Sequence, residues 1–116
     1  MISKELMAVS TLPLILSIFK KGTSYGYQII QDMKELSGGT LEWSDGMLYP
    51  VLHKLEKDGL ITSSWDISES GRKRKYYSIT SLGKESLGEV RAEWLSVHEL
   101  FVKLWGPTLQ WNVSKS

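Results

Sequence analysis

The chain has no cysteine among its 116 residues, which removes disulfides and thiolate-held metals from the ways it can be stabilised. A reducing compartment, the cytoplasm, fits that composition. Histidine is nearly as scarce. His53 and His98 lie far apart with no paired carboxylates at ligand spacing, so no metal site is expected. There is no glycine-rich phosphate loop and no nucleophile elbow, and serine, histidine and acidic residues are scattered. An enzyme reading therefore has no motif behind it, and no cofactor is implied. Long apolar runs are also missing. Leu12 to Phe19 is too short to span a bilayer, and no small-residue cleavage pattern follows before Lys20 and Lys21, so it reads as a core helix. Net charge is only +1, which neither demands nor excludes a nucleic-acid partner.

What is present is ordinary globular material, 41% hydrophobic and 23% charged, enough for one domain with its own core. Leu6, Met7, Val9, Leu12, Leu14, Ile15, Ile18 and Phe19 give a first helix, either kinked at Pro13 or restarted there with Thr11 near the cap, and stopped by Gly22. Ser24 is positioned to cap a second helix with Tyr27, Ile30, Met33 and Leu36 facing inward, ended by Gly38 and Gly39. Leu41 to Trp43 reads as a very short strand.

The stretch "SDGMLYPVLHKLEKDGLI", residues 44 to 61, carries Leu48, Val51, Leu52 and Leu55 at helical spacing after a Ser44 cap, with Gly59 as its stop. Pro50 is the anomaly. In a helix interior it removes one hydrogen bond and crowds the carbonyl of Gly46, at a cost of about 3 kcal/mol. A distortion of that size marks a functional surface, formed by the outer residues Asp45, Met47, Tyr49, His53, Lys54 and Lys57.

Residues 60 to 67 and 74 to 80 alternate as two strands around the turn "SESGR", residues 68 to 72. Arg72, Lys73, Arg74 and Lys75 put four consecutive cations at the ribbon tip, where they repel one another unless an anion is near; plain solvation is the alternative. Three helices and a ribbon make a winged helix-turn-helix, whose third helix would enter a DNA major groove. The fold class is thus mainly α with a small β-hairpin, followed by a C-terminal dimerisation helix. Residues 1–80 are the winged-helix domain, 81–105 the helix and 106–116 a tail.

That last helix, capped by Thr80, spaces Leu87, Val90, Trp94, Val97, Phe101 and Leu104 at 3, 4, 3, 4, 3, a heptad seam. Leu95, Val102 and Trp105 widen the apolar surface beyond what one small domain covers. A two-fold homodimer built from the first and last helices accounts for it; packing on the first helix alone is the plain alternative. Gly88, inside this helix, points to close approach of another backbone.

Four stretches, "SYGYQII", "GMLYPVLHKLEKDGLI", "SGRKRKYYSIT" and "LGKESL" with "EWLSV", resemble the PadR family of transcriptional regulators over most of residues 12 to 105. The resemblance implies a dimeric winged-helix protein on double-stranded inverted-repeat operator DNA, usually repressing transcription. By that likeness and the residue chemistry, the DNA-contacting set is Ser24, Tyr27, Ser44, Tyr49, His53, Lys54, Arg72, Lys73 and Arg74. The short C-terminal region is similar to a subgroup that includes the lactococcal multidrug-resistance regulator. It implies a small aromatic effector held by Trp94, with Val97 and His98 beside it. Asp45 and Met47 stand where the family often has Pro and Ser or Thr, and Tyr25 replaces the usual His. The competing reading is a winged-helix module that binds protein without specific DNA recognition.

Overall fold

The computed structural model describes residues 2–106, and the tail beyond Gly106, with Trp111, lies outside the described residues. The elements run α1 (Lys4–Lys21), β1 (Ser24–Tyr25), α2 (Gly26–Leu36), α3 (Asp45–Lys57), β2 (Ile61–Ile67), β3 (Lys73–Ile79) and α4 (Ser81–Trp105). Ser3 starts α1 by accepting the Leu6 N–H at 3.2 Å. The helix passes through Pro13 as one element and is not restarted at Thr11. Pro13 removes the donor that would meet the Val9 carbonyl. In the turn before it, the Ser10 and Thr11 hydroxyls donate to the Leu6 and Met7 carbonyls at 2.6 and 2.8 Å.

Ser24 does not cap α2. It lies in β1, paired with Tyr77 of β3, so the ribbon becomes a three-stranded antiparallel sheet in the order β1-β3-β2. Its side chain is 8% exposed, its Oγ has no partner, and the cap position falls to Tyr25, which makes no side-chain cap bond. The buried face of α2 is correspondingly rotated, to Gly26, Ile29 and Met33 with Ile30 at its margin, while Tyr27 and Leu36 face solvent. No strand forms at Leu41 to Trp43. Instead the Leu41 N–H donates to the Ser37 Oγ at 2.8 Å, and Trp43 is buried as a core side chain.

The core gathers Ile15, Leu16 and Phe19 of α1, Ile29 of α2, Leu48, Leu52 and Leu55 of α3, and Ile61 of β2. Each fully buried leucine contributes about 1.5–3 kcal/mol relative to exposure. The inward stripe read from the sequence holds α3 on this core despite Pro50, and Gly59, at φ 77°, ends the helix in a backbone region that suits glycine. The Ile61, Ser63, Trp65, Ile67 alternation is also present, but burial stops after its first residue: Trp65 and Ile67 extend beyond the core and are 61% and 69% exposed.

Helix α4 starts on the Thr80 Oγ1, which accepts the Gly83 N–H at 3.0 Å and donates to the Gly59 carbonyl at 2.6 Å. Leu87 packs into the core, Val90 is half-buried, and every residue from Arg91 to Phe101 is exposed. Its distal half therefore projects, giving a molecule of 51 × 29 × 23 Å. Among the described residues, and apart from the local helix backbone, no atom lies within 4 Å of where a Cβ on Gly88 would stand.

Candidate nucleic-acid interface

Helix α3 opens on a satisfied cap, the Ser44 Oγ accepting the Met47 N–H at 3.2 Å, with Asp45 exposed in the first turn where a carboxylate suits the helix dipole. Of the outer residues read from the sequence, Met47 is in fact half-buried against the core, because it lies beside the Leu48 stripe. Tyr49 is exposed but not loose. Its ring lies over Gly26 so closely that a Cβ at that position would collide with it, which fixes the start of α2 against α3. His53 is exposed, and the Lys54 ammonium stands 3.2 Å from Asp58, an exposed i,i+4 pair of a kind worth about 0.3–0.5 kcal/mol. So weak a pair leaves Lys54 able to turn to a stronger anion.

The wing is fastened to α3 through Glu56. Its carboxylate accepts from the Ser63 Oγ at 2.5 Å and lies 3.9 Å from the Lys75 ammonium. Burial, then the nearby Tyr49 and Glu56, push the Tyr77 hydroxyl above the ordinary phenol range, so this ring stays neutral at the junction. Three cations of the wing lie on aromatic faces. Arg74 stacks 4.4 Å from the Tyr25 ring, which meets Tyr76 edge-on at 5.4 Å; Lys73 lies 5.4 Å from Trp65, and Lys75 lies 5.6 Å from Tyr77. Such stacking holds a flexible cation in place while its charge remains available to a ligand.

Together the start of α2, the outer face of α3 and the wing enclose an open concavity of about 540 Å³, lined by Tyr25, Tyr27, Tyr49, Trp65, Tyr77 and residues 72–75. Its chemistry is cationic and aromatic, suited to an anionic polymer with apolar surface between its charges. Of the residues read from the sequence, Tyr27, Tyr49, Arg72, Lys73 and Arg74 meet here. Ser44, which caps α3, and His53 and Lys54 on it are exposed outside this lining, and Ser24 is buried beneath, because β1 turns it inward. Sequence reasoning missed Tyr25, Trp65 and Lys75 as site residues. For Trp65 the only signal was its place in the strand alternation, and Tyr25 had been visible only as a departure from the family pattern.

The model of the transcriptional regulator PadR-like family matches residues 15–89. The chain belongs to that family. It is 37% identical over 87 residues to an uncharacterised protein of Lysinibacillus sphaericus, an alignment covering 75% of this chain and 80% of that one. It is 33% identical over 85 residues to the negative transcriptional regulator PadR of Bacillus subtilis, covering 73% of this chain but only 44% of that protein. Among solved structures it superposes on a transcriptional regulator from Clostridium thermocellum with a TM-score of 0.79 at 28% identity, covering 89% and 97% of the two chains. A PadR-like regulator from Bacillus cereus gives 0.78 at 29% identity, covering 89% and 98%. The winged-helix fold with a C-terminal helix is thus shared with PadR-family regulators, a family of transcription factors and not of enzymes.

This PadR-family chain has a second concavity, about 820 Å³, between α1 and α4. Leu6, Met7, Pro13, Leu14, Leu87, Val90 and Trp94 line it, with Lys20, Lys21 and Arg91 among its polar residues. Trp94 lies in this groove, whereas Val97 and His98 sit outside its lining on the projecting, exposed part of α4. Among the described residues no helix is long and apolar enough to cross a membrane.

Proposed function

We propose that the chain is a cytoplasmic homodimeric repressor that binds inverted-repeat DNA and is released by a small aromatic effector. The observation that carries the DNA reading is the single concavity in which Tyr49 of α3 meets four consecutive wing cations, three of them held on aromatic rings. In this reading α3 enters a major groove with Ser44, Tyr49, His53 and Lys54 on its outer side. Arg72 and Arg74 grip the adjacent phosphates, for which a guanidinium can make two hydrogen bonds. Two such surfaces, paired through α1 and α4, would enter successive grooves about 34 Å apart.

The test is a titration, at several salt concentrations, of duplexes selected from a random pool. An enriched inverted repeat is expected. Arg72→Ala with Arg74→Ala should weaken binding on the order of 100-fold. It should also flatten the plot of log affinity against log salt by about two units, near 0.9 for each phosphate that is no longer neutralised. A wild-type protein that ignores every duplex, or a variant with unchanged slope, would favour a protein partner.

For the effector, Trp94 is 44% exposed in an apolar groove, a surface that binds flat aromatic molecules by stacking and burial, with breadth more than selectivity. A ligand there that prefers a different tilt between subunits would change the spacing of the two recognition helices. Trp94→Ala is expected to abolish the quenching of protein fluorescence by aromatic dyes. Undiminished quenching would remove the effector while leaving the repressor reading in place.

A further inference from the structure

The outer half of the wing has an apolar side that the core does not use. In the β2–β3 register, Ser63 faces Tyr77, Trp65 faces Lys75 and Ile67 faces Lys73, so Ile61, Ser63, Trp65 and Ile67 share one side of the sheet with Lys73, Lys75 and Tyr77. The inner end of that side is core, with Ile61 and Tyr77 buried, and its middle is bonded to α3 through Glu56. The side therefore faces the same way as the recognition helix. Beyond α3 it continues as Trp65 and Ile67, both more than half exposed, with the Lys73 ammonium beside the indole. Asp66, the acid between them, belongs to the opposite side, where its Oδ1 accepts the Ile67 N–H at 2.7 Å.

Resting on the DNA reading above, we propose that Trp65 and Ile67 form an apolar contact surface that lies against the deoxyribose wall of the groove next to the one α3 enters. Lys73 reaches over the indole to the flanking phosphate. The wall of a duplex groove alternates apolar sugars with anionic phosphates, and this side of the wing alternates apolar side chains with cations. A protein surface also carries apolar area, so what favours a duplex here is continuity: this side of the wing is joined through Glu56 to α3, the helix read above as DNA-binding. Proteins that meet a minor groove do place apolar side chains in it, most often as wedges between base steps; here the indole and Ile67 lie along the groove wall instead.

The contact has a signature that separates it from the cations around it. Burying an indole on sugar releases no counterions, whereas each lysine–phosphate pair does. On the selected duplex, Trp65→Ala should weaken binding about tenfold with the salt slope unchanged, and Trp65→Phe should recover most of the loss. Lys73→Ala should weaken binding and flatten the slope by about one unit. Because Trp65 is exposed, thermal melting of its variants should match wild type.

Two results would overturn the inference while sparing the DNA reading, provided the Arg72 and Arg74 variants still bind weakly. One is Trp65→Ala with wild-type affinity. The other is Trp65→Ala with the flattened slope of Lys73→Ala, which would make the ring a mere support for the ammonium. A wild-type protein that binds no duplex ends both.

Discussion

Gly83→Ala should unfold this protein at a temperature lower by about 10 °C, a loss of roughly 2–3 kcal/mol, although alanine is the better helix former by about 1 kcal/mol. Gly83 sits in the first turn of α4, and a Cβ there would collide with the backbone carbonyl of Leu60 and stand 2.7 Å from the Ile79 side chain. Neither neighbour yields cheaply. The Leu60 carbonyl already accepts the Thr80 N–H at 3.0 Å, and the Thr80 Oγ1 caps α4 while donating to Gly59, so the helix start, the end of β3 and the loop after α3 are locked together. Relief would require α4 to lift from that loop, and the cap and the packing of Leu87 would weaken with it. Gly46→Ala in the first turn of α3 is the matched control, since apart from the adjoining residues and helix backbone the nearest atom to a Cβ there is the Oγ of the capping Ser44, at 4.0 Å. It should leave the melting temperature unchanged or raised. If calorimetry found Gly83→Ala as stable as the control, the close seating of α4 on the Leu60 loop would be wrong.

That contrast also marks where the sequence was readable. The helices α1, α3 and α4, the inward stripe of α3, the caps at Ser44 and Thr80, and the two long strands are periodic or local signals, and each forms where the spacing puts it, whereas of the α4 seam only Leu87 is buried and Val90 half-buried in the single chain. Strand β1 has two residues, too few for any period, and forms only because β3 offers an edge more than 50 residues away. Missing it made Ser24 look like a cap and turned the inward face of α2 toward Tyr27. Tertiary pairing outweighed a local preference there, as it did at Trp43, whose burial owes nothing to strand alternation. The site divides in the same way. A run of four cations is visible in one dimension, but the stacking of Arg74 on Tyr25, and the clasp from Glu56 to Ser63 and Lys75, join residues whose partnership only the folded sheet creates.

The largest functional effect should come from a place that touches no DNA. Val97→Lys combined with Leu104→Lys is expected to convert the proposed dimer to single subunits at micromolar concentration and to reduce affinity for the proposed inverted repeat by roughly 100- to 10,000-fold. Both side chains lie on the projecting part of α4, 48% and 79% exposed in the single chain, so their replacement leaves its core intact. The helix itself is not weakened, because Glu93 and a lysine four residues later form a favourable pair. A two-fold interface presents each substitution twice, so four ammonium groups would enter the seam that Val90, Trp94, Val97, Phe101 and Leu104 are proposed to form. Added positive charge by itself strengthens attraction to a duplex. A fall in affinity would therefore report the loss of the second recognition helix, whose binding is favoured because the first has already brought it to the site. Sedimentation measures the subunit number and titration on half-site and full-site duplexes measures the coupling. The variant should bind half and full sites alike, whereas the wild type should prefer the full site strongly. A double variant that still sediments as a dimer would move the interface off this seam.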